Sequence, residues 1–325
     1  MANCIISIDL GGTRIRGARM DESLKILERH ETYTLASEGL QAVLERIKQM
    51  IREVWPQNGD TVMGVGVSAP GPLDPKTGVI VAPPNLPGWH NVPLGDILTE
   101  AFSVPVYVGN DANVAALAES LVGAARDGYR HVIYLTQSTG VGSGIIVDGR
   151  MLLGKRGLAA EAGHMPILFD ADERVSTVEL ESAGPGMARR AKARIEAGES
   201  SLIVDMVEGD LTQITGSTVG KAAQQGDPLA LEVVTRSARV LGLGVVSLLH
   251  LFNPEIVVIG GGVTALGDLI FNPVRETVSK YVRDPEYIVP IVPSVLGEDV
   301  SVFGAGALVP TKGGIEDIQH LREVM

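Results

Sequence analysis

Asp9 ends an apolar run and is followed directly by Leu10, Gly11, Gly12 and Thr13. Two adjacent glycines permit backbone conformations closed to other residues. Their amides can converge on an anion as a nest, and Thr13 adds a hydroxyl donor. A carboxylate beside such a nest would repel a bare phosphate, so Asp9 implies Mg²⁺, held directly or through water. The same string also suits a plain β-hairpin whose Gly-Gly makes the turn. Two further small-residue turns follow apolar strands, "STGVGSG" (138–144) and "IGGGV" (259–263). Together the three suit one nucleotide held between two domains. None is a Walker A loop: in "GRMLLGKR" Arg156 stands where Ser or Thr should hold magnesium. "GVGVSA" (64–69) loosely matches a dinucleotide fingerprint, but a proline-rich stretch follows it rather than a helix.

Asp111 is the candidate general base. An alcohol is a poor nucleophile at neutral pH, and a carboxylate within hydrogen-bond reach can orient it and take its proton. Asn110, with a donor and an acceptor, suits a neighbouring hydroxyl. Either residue could instead simply cap the helix that begins here. In "EAGH", Glu161 and His164 lie three apart and can face one side of a turn. His164 is a weak candidate metal ligand, because no cysteine or second histidine lies nearby. Glu181, in "VELESAGPG", reads on its own as a surface glutamate.

The elements that must carry these residues alternate between strand and helix. Residues 4–9, 14–20 and 25–34 read as a β-meander. Leu40, Val43, Leu44, Ile47, Ile51 and Val54 form a helical stripe, ended by Pro56 and Gly59. "TVMGVGVSA" and "VPVYVG" are strands, and residues 68–93, with seven prolines and three glycines, read as a long ordered loop. A helix follows from "NDANVAALAESLVGAA". The pattern then restarts with "HVIYLTQSTGVGSGIIVDG", helices near 179–195 and 227–251, the strand "EIVVIGGG" and a helix over 265–282. A duplicated α/β fold would place a cleft between its halves. The tail "TKGGIEDIQHLREVM" reads as a Gly-Gly break and a short helix.

Composition narrows the function classes. The 325 residues suit two domains or one large one. A net charge of −12 without a basic run argues against nucleic acid as a partner. The longest apolar stretch, residues 240–252, is shorter than the roughly 20 residues a membrane span needs. The single cysteine, Cys4, excludes an intrachain disulfide and a multi-cysteine zinc site and fits a cytoplasmic setting. No leader is expected, since Asp9 interrupts the first apolar run.

Assembled in order, "IDLGGTRIRGA", "VGVSAPGPLDPKTGVI", "PNLPGWHNVPL", "VPVYVGNDANVAALAE", "STGVGSGIIVDG", "EAGHMPI" and "VVIGGGV" resemble the sugar kinases of the ROK family (repressor, open reading frame, kinase). The resemblance runs from residue 5 to 263 and implies a two-lobed actin-like ATPase (ribonuclease H-like) α/β fold. The lobes are expected at 1–109, joined by a C-terminal helix over 307–325, and at 110–306. It implies that Asp9, Gly11, Gly12 and Thr13 lie at the ATP phosphates with Mg²⁺, and that Thr139 and Gly140 approach them from the other lobe. Gly261 and Gly262 would pass close to the adenosine. Gly71, Asn85, Asn110, Asp111, Glu161, His164 and Glu181 would line a hexose, with Asp111 as general base. Homodimers or homotetramers are the family's common states.

This chain departs from the family pattern after His164. Many relatives carry a zinc knuckle there, but "HMPILFDADERVSTVELESAGPG" has no cysteine, so no structural zinc is expected. Glu181 is taken as the knuckle's final position. Arg14 replaces a commoner lysine, and Ser138 and Ser143 replace commoner glycines. The implied function is an ATP-dependent hexokinase, glucokinase-like. Alternatives are mannose, N-acetylmannosamine, N-acetylglucosamine, allose or fructose as acceptor, and polyphosphate as donor. A non-catalytic sugar-responsive regulator is a further alternative. Such regulators carry an N-terminal helix-turn-helix, for which a first strand starting by residue 4 leaves no room, and both Asp9 and Asp111 are present.

Overall fold

The computed structural model describes residues 2–169 and 175–324. The chain opens with β1 (Asn3–Leu10), β2 (Arg14–Met20) and β3 (Ile26–Tyr33), then α1 (Leu40–Val54) and β4 (Thr61–Ala69). Short strands β5 (Leu73–Asp74), β6 (Val79–Ile80) and β7 (Val92–Pro93) precede α2 (Leu94–Phe102), β8 (Val106–Asn110) and α3 (Asp111–Leu121). Next come β9 (Val132–Gln137), β10 (Val141–Val147), β11 (Arg150–Met151), β12 (Pro166–Phe169) and β13 (Val175–Thr177). Helices α4 (Val178–Ser182), α5 (Gly184–Glu196), α6 (Ile203–Met206), α7 (Gly216–Gln224) and α8 (Pro228–Phe252) lead to β14 (Ile256–Gly260). The chain ends with α9 (Asp268–Tyr281), β15 (Ile291–Pro293), α10 (Val300–Leu308) and α11 (Ile318–Val324).

Two five-stranded sheets share one strand order. The first runs β3-β2-β1-β4-β8 and the second β11-β10-β9-β14-β15. In the first, β1 pairs antiparallel with β2 and parallel with β4, which pairs parallel with β8. The duplication expected from the repeated strand-turn-strand strings is thus a repeated topology, that of the actin-like ATPase α/β fold.

Chain contacts divide the protein into two compact units. Unit 1 comprises Met1–Tyr134, Gly144–Ala160 and Val295–Met325, and unit 2 comprises Leu135–Ser143 and Glu161–Ser294. The boundary expected after residue 109 therefore falls inside unit 1, and the returning tail begins at Val295 rather than at 307. The reason is close packing of α3 and β4 on α10. A Cβ on Gly304 would lie 2.2 Å from the Val114 carbonyl oxygen, and one on Gly66 would lie 1.7 Å from the Ala305 carbonyl oxygen. Backbone-to-backbone approach of this kind binds α3 to unit 1.

The unit 1 core forms as its patterning dictates. Val43, Leu44, Ile47, Ile51 and Val54 of α1 are buried with Met50 against β1 and β2 residues such as Ile6, Ile8 and Ile15. The stretch 68–93, read as a loop, holds the small sheet β5-β6-β7, with Trp89 buried in the same core. Helices α2 and α7 carry short apolar stripes, Leu94, Ile97 and Leu98 in the first and Val219, Ala222 and Ala223 in the second, which the sequence reading passed over. In α10, two glycines lower helix propensity and burial on several sides erases the amphipathic stripe.

Candidate active site

In unit 1, register decides what surrounds Asp9. Antiparallel pairing sets Asp9 opposite Arg16 on β2, and parallel pairing sets it opposite Ser68 on β4. Arg16 Nη1 lies 3.2 Å from Asp9 Oδ2, and Arg16 also reaches Glu31 at 3.4 Å. Asp9 is only 8% exposed. Its pKa rises to about 6, because desolvation outweighs the opposing pull of Arg16 and is reinforced by the Asp111 charge.

The glycine turn serves both of its candidate roles. Gly11 N–H donates to the Arg14 carbonyl at 2.9 Å, which closes a hairpin. Thr34 clamps the turn: its hydroxyl donates to the Gly11 carbonyl at 2.6 Å and its N–H to the Thr13 carbonyl at 2.8 Å. The Gly12 and Thr13 amides, by contrast, donate to no protein acceptor among the described residues. Neither Gly11 nor Gly12 takes a positive φ, contrary to the conformational argument from sequence. Close approach requires them instead: a Cβ on Gly12 would lie 2.9 Å from Asn85 Cβ, and one on Gly11 3.0 Å from the Arg14 carbonyl oxygen.

The parallel strands β1, β4 and β8 end at the same edge of the sheet, where open α/β sheets bind ligands. Asn110 ends β8 and caps α3, its Oδ1 accepting the Ala112 N–H at 3.1 Å. Asp111 Oδ1 accepts the same N–H at 2.8 Å. Asp111 is open to water, yet protein surrounds its carboxyl densely. That desolvation pushes its pKa above the ordinary carboxylate range, against the hydrogen bonds from Ala112, its own amide and Asn110. A Cβ on Gly71 would lie 2.9 Å from Asn110 Nδ2. Unit 1 therefore brings together Asp9, Gly11, Gly12, Thr13, Gly71, Asn85, Asn110 and Asp111.

Unit 2 holds the other predicted residues. The turn after β9 is tied by Ser138 N–H to the Gly140 carbonyl at 2.9 Å, and the Thr139 and Gly140 amides donate to no protein acceptor among the described residues. Gly261 takes φ +85°, and a Cβ there would lie 2.4 Å from the Gln137 carbonyl oxygen, so the ends of β14 and β9 touch. Thr139, Gly262, Val263 and the starts of α5 and α7 line a cavity of about 720 Å³, with Met187, Ile214 and Leu266 on its walls and Lys221 among its polar groups. In "EAGH", Gly163 packs where a Cβ would lie 2.1 Å from the Val141 carbonyl oxygen. Ser143 Oγ accepts the Ala162 N–H at 3.1 Å. This holds the turn on β10 and leaves Glu161 and His164 exposed to either side.

Glu181 is placed differently from the expectation. Its Oε2 lies 2.8 Å from Arg236 and 3.3 Å from Arg190, and Ser176 donates to its Oε1 at 2.7 Å. Burial acts to raise its pKa, but Ser176, Arg236 and Arg190 outweigh it and hold the carboxyl below its usual range. Its oxygens are therefore committed to protein. Glu179, two residues earlier, points across the short helix α4 and accepts the Val141 N–H at 2.8 Å, beside Gly140. Sequence reading passed over it because the changed segment before α4 obscured the register.

For Mg²⁺ the oxygen donors present fit. Asp9 supplies a carboxylate, and the buried Ser68 hydroxyl opposite it makes no well-formed hydrogen bond. Among the described residues no group of three or more His, Cys, Asp or Glu could hold a metal ion; residues 170–174 of the knuckle-equivalent segment lie outside them. No helix among the described residues is long and apolar enough to cross a membrane. Arg14 is exposed, pairs with Glu31 and lies over the Tyr33 ring at 5.6 Å.

Comparison with known proteins gives the context. The profile of the ROK family matches residues 5–312. A glucokinase of Thermotoga maritima is 34% identical over 317 residues, 95% of this chain and 98% of that protein. A xylose repressor of Caldicellulosiruptor bescii is 30% identical over 74% of this chain and 60% of its own length. A ROK glucokinase of Streptomyces griseus, solved in complex with glucose and AMPPNP, superposes with a TM-score of 0.76 at 30% identity, covering 94% of this chain and 98% of that one. With the repeated sheet order and the site residues in place, these matches make the chain a member of the ROK family.

Proposed function

We propose that this chain is an ATP-dependent hexose kinase that transfers the γ-phosphoryl group to glucose, forming glucose 6-phosphate, with Asp111 as general base. The observation that carries the reading is Asp111 itself. It is a water-accessible carboxylate at the strand-end edge of the unit 1 sheet, with a raised pKa and with Asp9 close enough to add to the local negative charge. A carboxylate of raised basicity accepts the hydroxyl proton as the oxygen attacks phosphorus. Asn110 orients a neighbouring hydroxyl. In unit 1 the Gly12 and Thr13 amides, with no protein acceptor among the described residues, are the donors for phosphate oxygens; in unit 2 the Thr139 and Gly140 amides are likewise unclaimed, and the 720 Å³ cavity takes the adenosine beside Gly261 and Gly262. Asp9 holds Mg²⁺, with Ser68 beside it; when bound, the ion neutralises charge on the phosphates. Glu161, His164, Gly71 and Asn85 contact sugar hydroxyls. Glu179 takes the acidic role that sequence assigned to Glu181, because Glu181 is spent on two arginines. The enzyme works in the cytoplasm as a homodimer or homotetramer.

The relatives named above favour the enzyme over the regulator: glucokinases match over the greater share of both chains. The test is kcat/KM for ADP release with ATP across glucose, mannose, N-acetylmannosamine, N-acetylglucosamine, allose and fructose, repeated with polyphosphate as donor. Glucose with ATP should give the highest value. Sugar binding without turnover on any of them would overturn the reading.

A further inference from the structure

Gln137 ends β9, immediately before the turn whose Thr139 and Gly140 amides donate to no protein acceptor among the described residues. It is fully buried. Its Nε2 donates to the Ser182 carbonyl at 2.5 Å and to Ser237 Oγ at 3.0 Å, and the Ser237 hydroxyl donates to the same carbonyl at 2.6 Å. A carbonyl can only accept, so the amide is fixed with its nitrogen toward the end of α4. Its Oε1 is then left buried with no hydrogen-bond partner among the described residues. A buried polar atom in that state is costly, and a fold that keeps one needs what the other end of the side chain does.

The surroundings show what that is. Ser182 closes α4, and the α4–α5 junction after it carries the turn: Gly184 N–H donates to the Ser138 carbonyl at 2.9 Å. The far side of the turn hangs on the same helix, where Glu179 accepts the Val141 N–H at 2.8 Å. A Cβ on Gly140 would lie 2.6 Å from Glu179 Oε2, so the turn lies flat against α4. The backbone of Gln137 also meets the other small-residue turn, since a Cβ on Gly261 would lie 2.4 Å from the Gln137 carbonyl oxygen. Ser138, Thr139, Gly184 and Gly262 all line the 720 Å³ cavity, and all belong to unit 2. We propose that Gln137 is a positioning residue for the nucleotide. By holding the Ser182 carbonyl it sets where the α4–α5 junction pulls on Ser138, and hence where the Thr139 and Gly140 amides aim at the rim of the cavity. The inference rests on the reading of this turn and cavity as the nucleotide's seat in unit 2. Hydrogen bonds weaken steeply off line, so a small tilt of the turn lowers nucleotide affinity without touching the acceptor sugar.

The experiment compares two variants of the full chain by isothermal titration calorimetry with ADP and Mg²⁺, by thermal melting and by steady-state kinetics. Gln137→Met keeps the side-chain volume, removes the unmet oxygen and leaves Ser237 donating to Ser182, so melting should shift little. Its Kd for ADP and KM for ATP should rise about tenfold, the worth of one well-aligned hydrogen bond, while KM for glucose and kcat at saturating ATP stay within about twofold of the unaltered chain. Ser237→Ala keeps the bond from Gln137 to Ser182, so it should lower the melting temperature yet leave ADP affinity within about twofold. Melting temperature and ADP affinity falling in step across the two variants would reveal a packing role alone and overturn the proposal. Unchanged ADP affinity in Gln137→Met would overturn it too, with the nucleotide seat left standing. Failure of the unaltered chain to bind ADP would instead overturn the seat and the proposal together.

Discussion

Replacing Asp111 with asparagine removes a proton acceptor and little else. Asn keeps an oxygen where Asp111 Oδ1 accepts the Ala112 N–H at 2.8 Å, and Asn110 Oδ1 backs up that contact at 3.1 Å. Loss of helix capping is therefore small, well under about 1 kcal/mol. Removing the desolvated charge beside Asp9 acts in the stabilising direction. Folding and sugar affinity should change little. The chemical step loses general-base catalysis, typically about 10²–10⁴ in kcat, or roughly 3–5 kcal/mol of transition-state stabilisation. A coupled ADP-release assay with saturating glucose and ATP measures this, with calorimetric glucose binding and thermal melting as controls. The raised pKa adds a second signature. The base must be ionised to act, so wild-type kcat/KM should fall on the acid side at a pH above the usual carboxylate range. That limb should vanish in Asp111→Asn. A variant retaining kcat within about threefold of wild type would refute the assignment.

Three further outcomes are expected. Asp9 keeps its proton below its folded pKa of about 6, against an ordinary 3.8, so it lends stability that is complete below about pH 3.8 and lost as pH rises through about 6. Asp9→Asn should therefore raise the apparent stability of the ligand-free protein at pH 7–8 by up to about 3 kcal/mol, less what Arg16 forfeits, and should abolish Mg²⁺-dependent turnover; urea melts at pH 5 and pH 8 should show the gap widening with pH. Ser143→Ala leaves the Ala162 N–H without its acceptor, which should cost about 1–3 kcal/mol and raise KM for glucose more than it lowers kcat. Gly66→Ala drives a Cβ to 1.7 Å from the Ala305 carbonyl oxygen, so it should destabilise unit 1 by about 3 kcal/mol or more, read as a lower denaturation midpoint.

Local chemistry was the readable part of the site. Asp9, the glycine turns, Asn110 with Asp111, and the "EAGH" turn are short strings whose residue types limit what the backbone there can do. Each sits at a strand end or turn, as its string requires. The reading faltered where an argument needed distant partners. Gly11 and Gly12 are glycines because Arg14 and Asn85 approach them, not because of φ. Glu181 could be told from Glu179 only by Arg190 and Arg236, which lie on two other helices.

The sequence by itself determined the main strands β1–β4, β8–β10 and β14, the helices α1, α3, α8 and α9, the amphipathic burial of α1 and the identity of the chemistry-bearing turns. Periodicity and turn residues act over a few positions, so they survive in a linear string. Tertiary structure alone decided that Asp9 and Asp111 belong to one unit, that α10 holds α3 there, and that Arg16 and Ser68 flank Asp9. Except for the Arg16 contact, made seven positions away across a hairpin, those outcomes depend on strand register and on backbone surfaces meeting across some 60 to 300 positions of chain. Such energies appear only once both partners are folded.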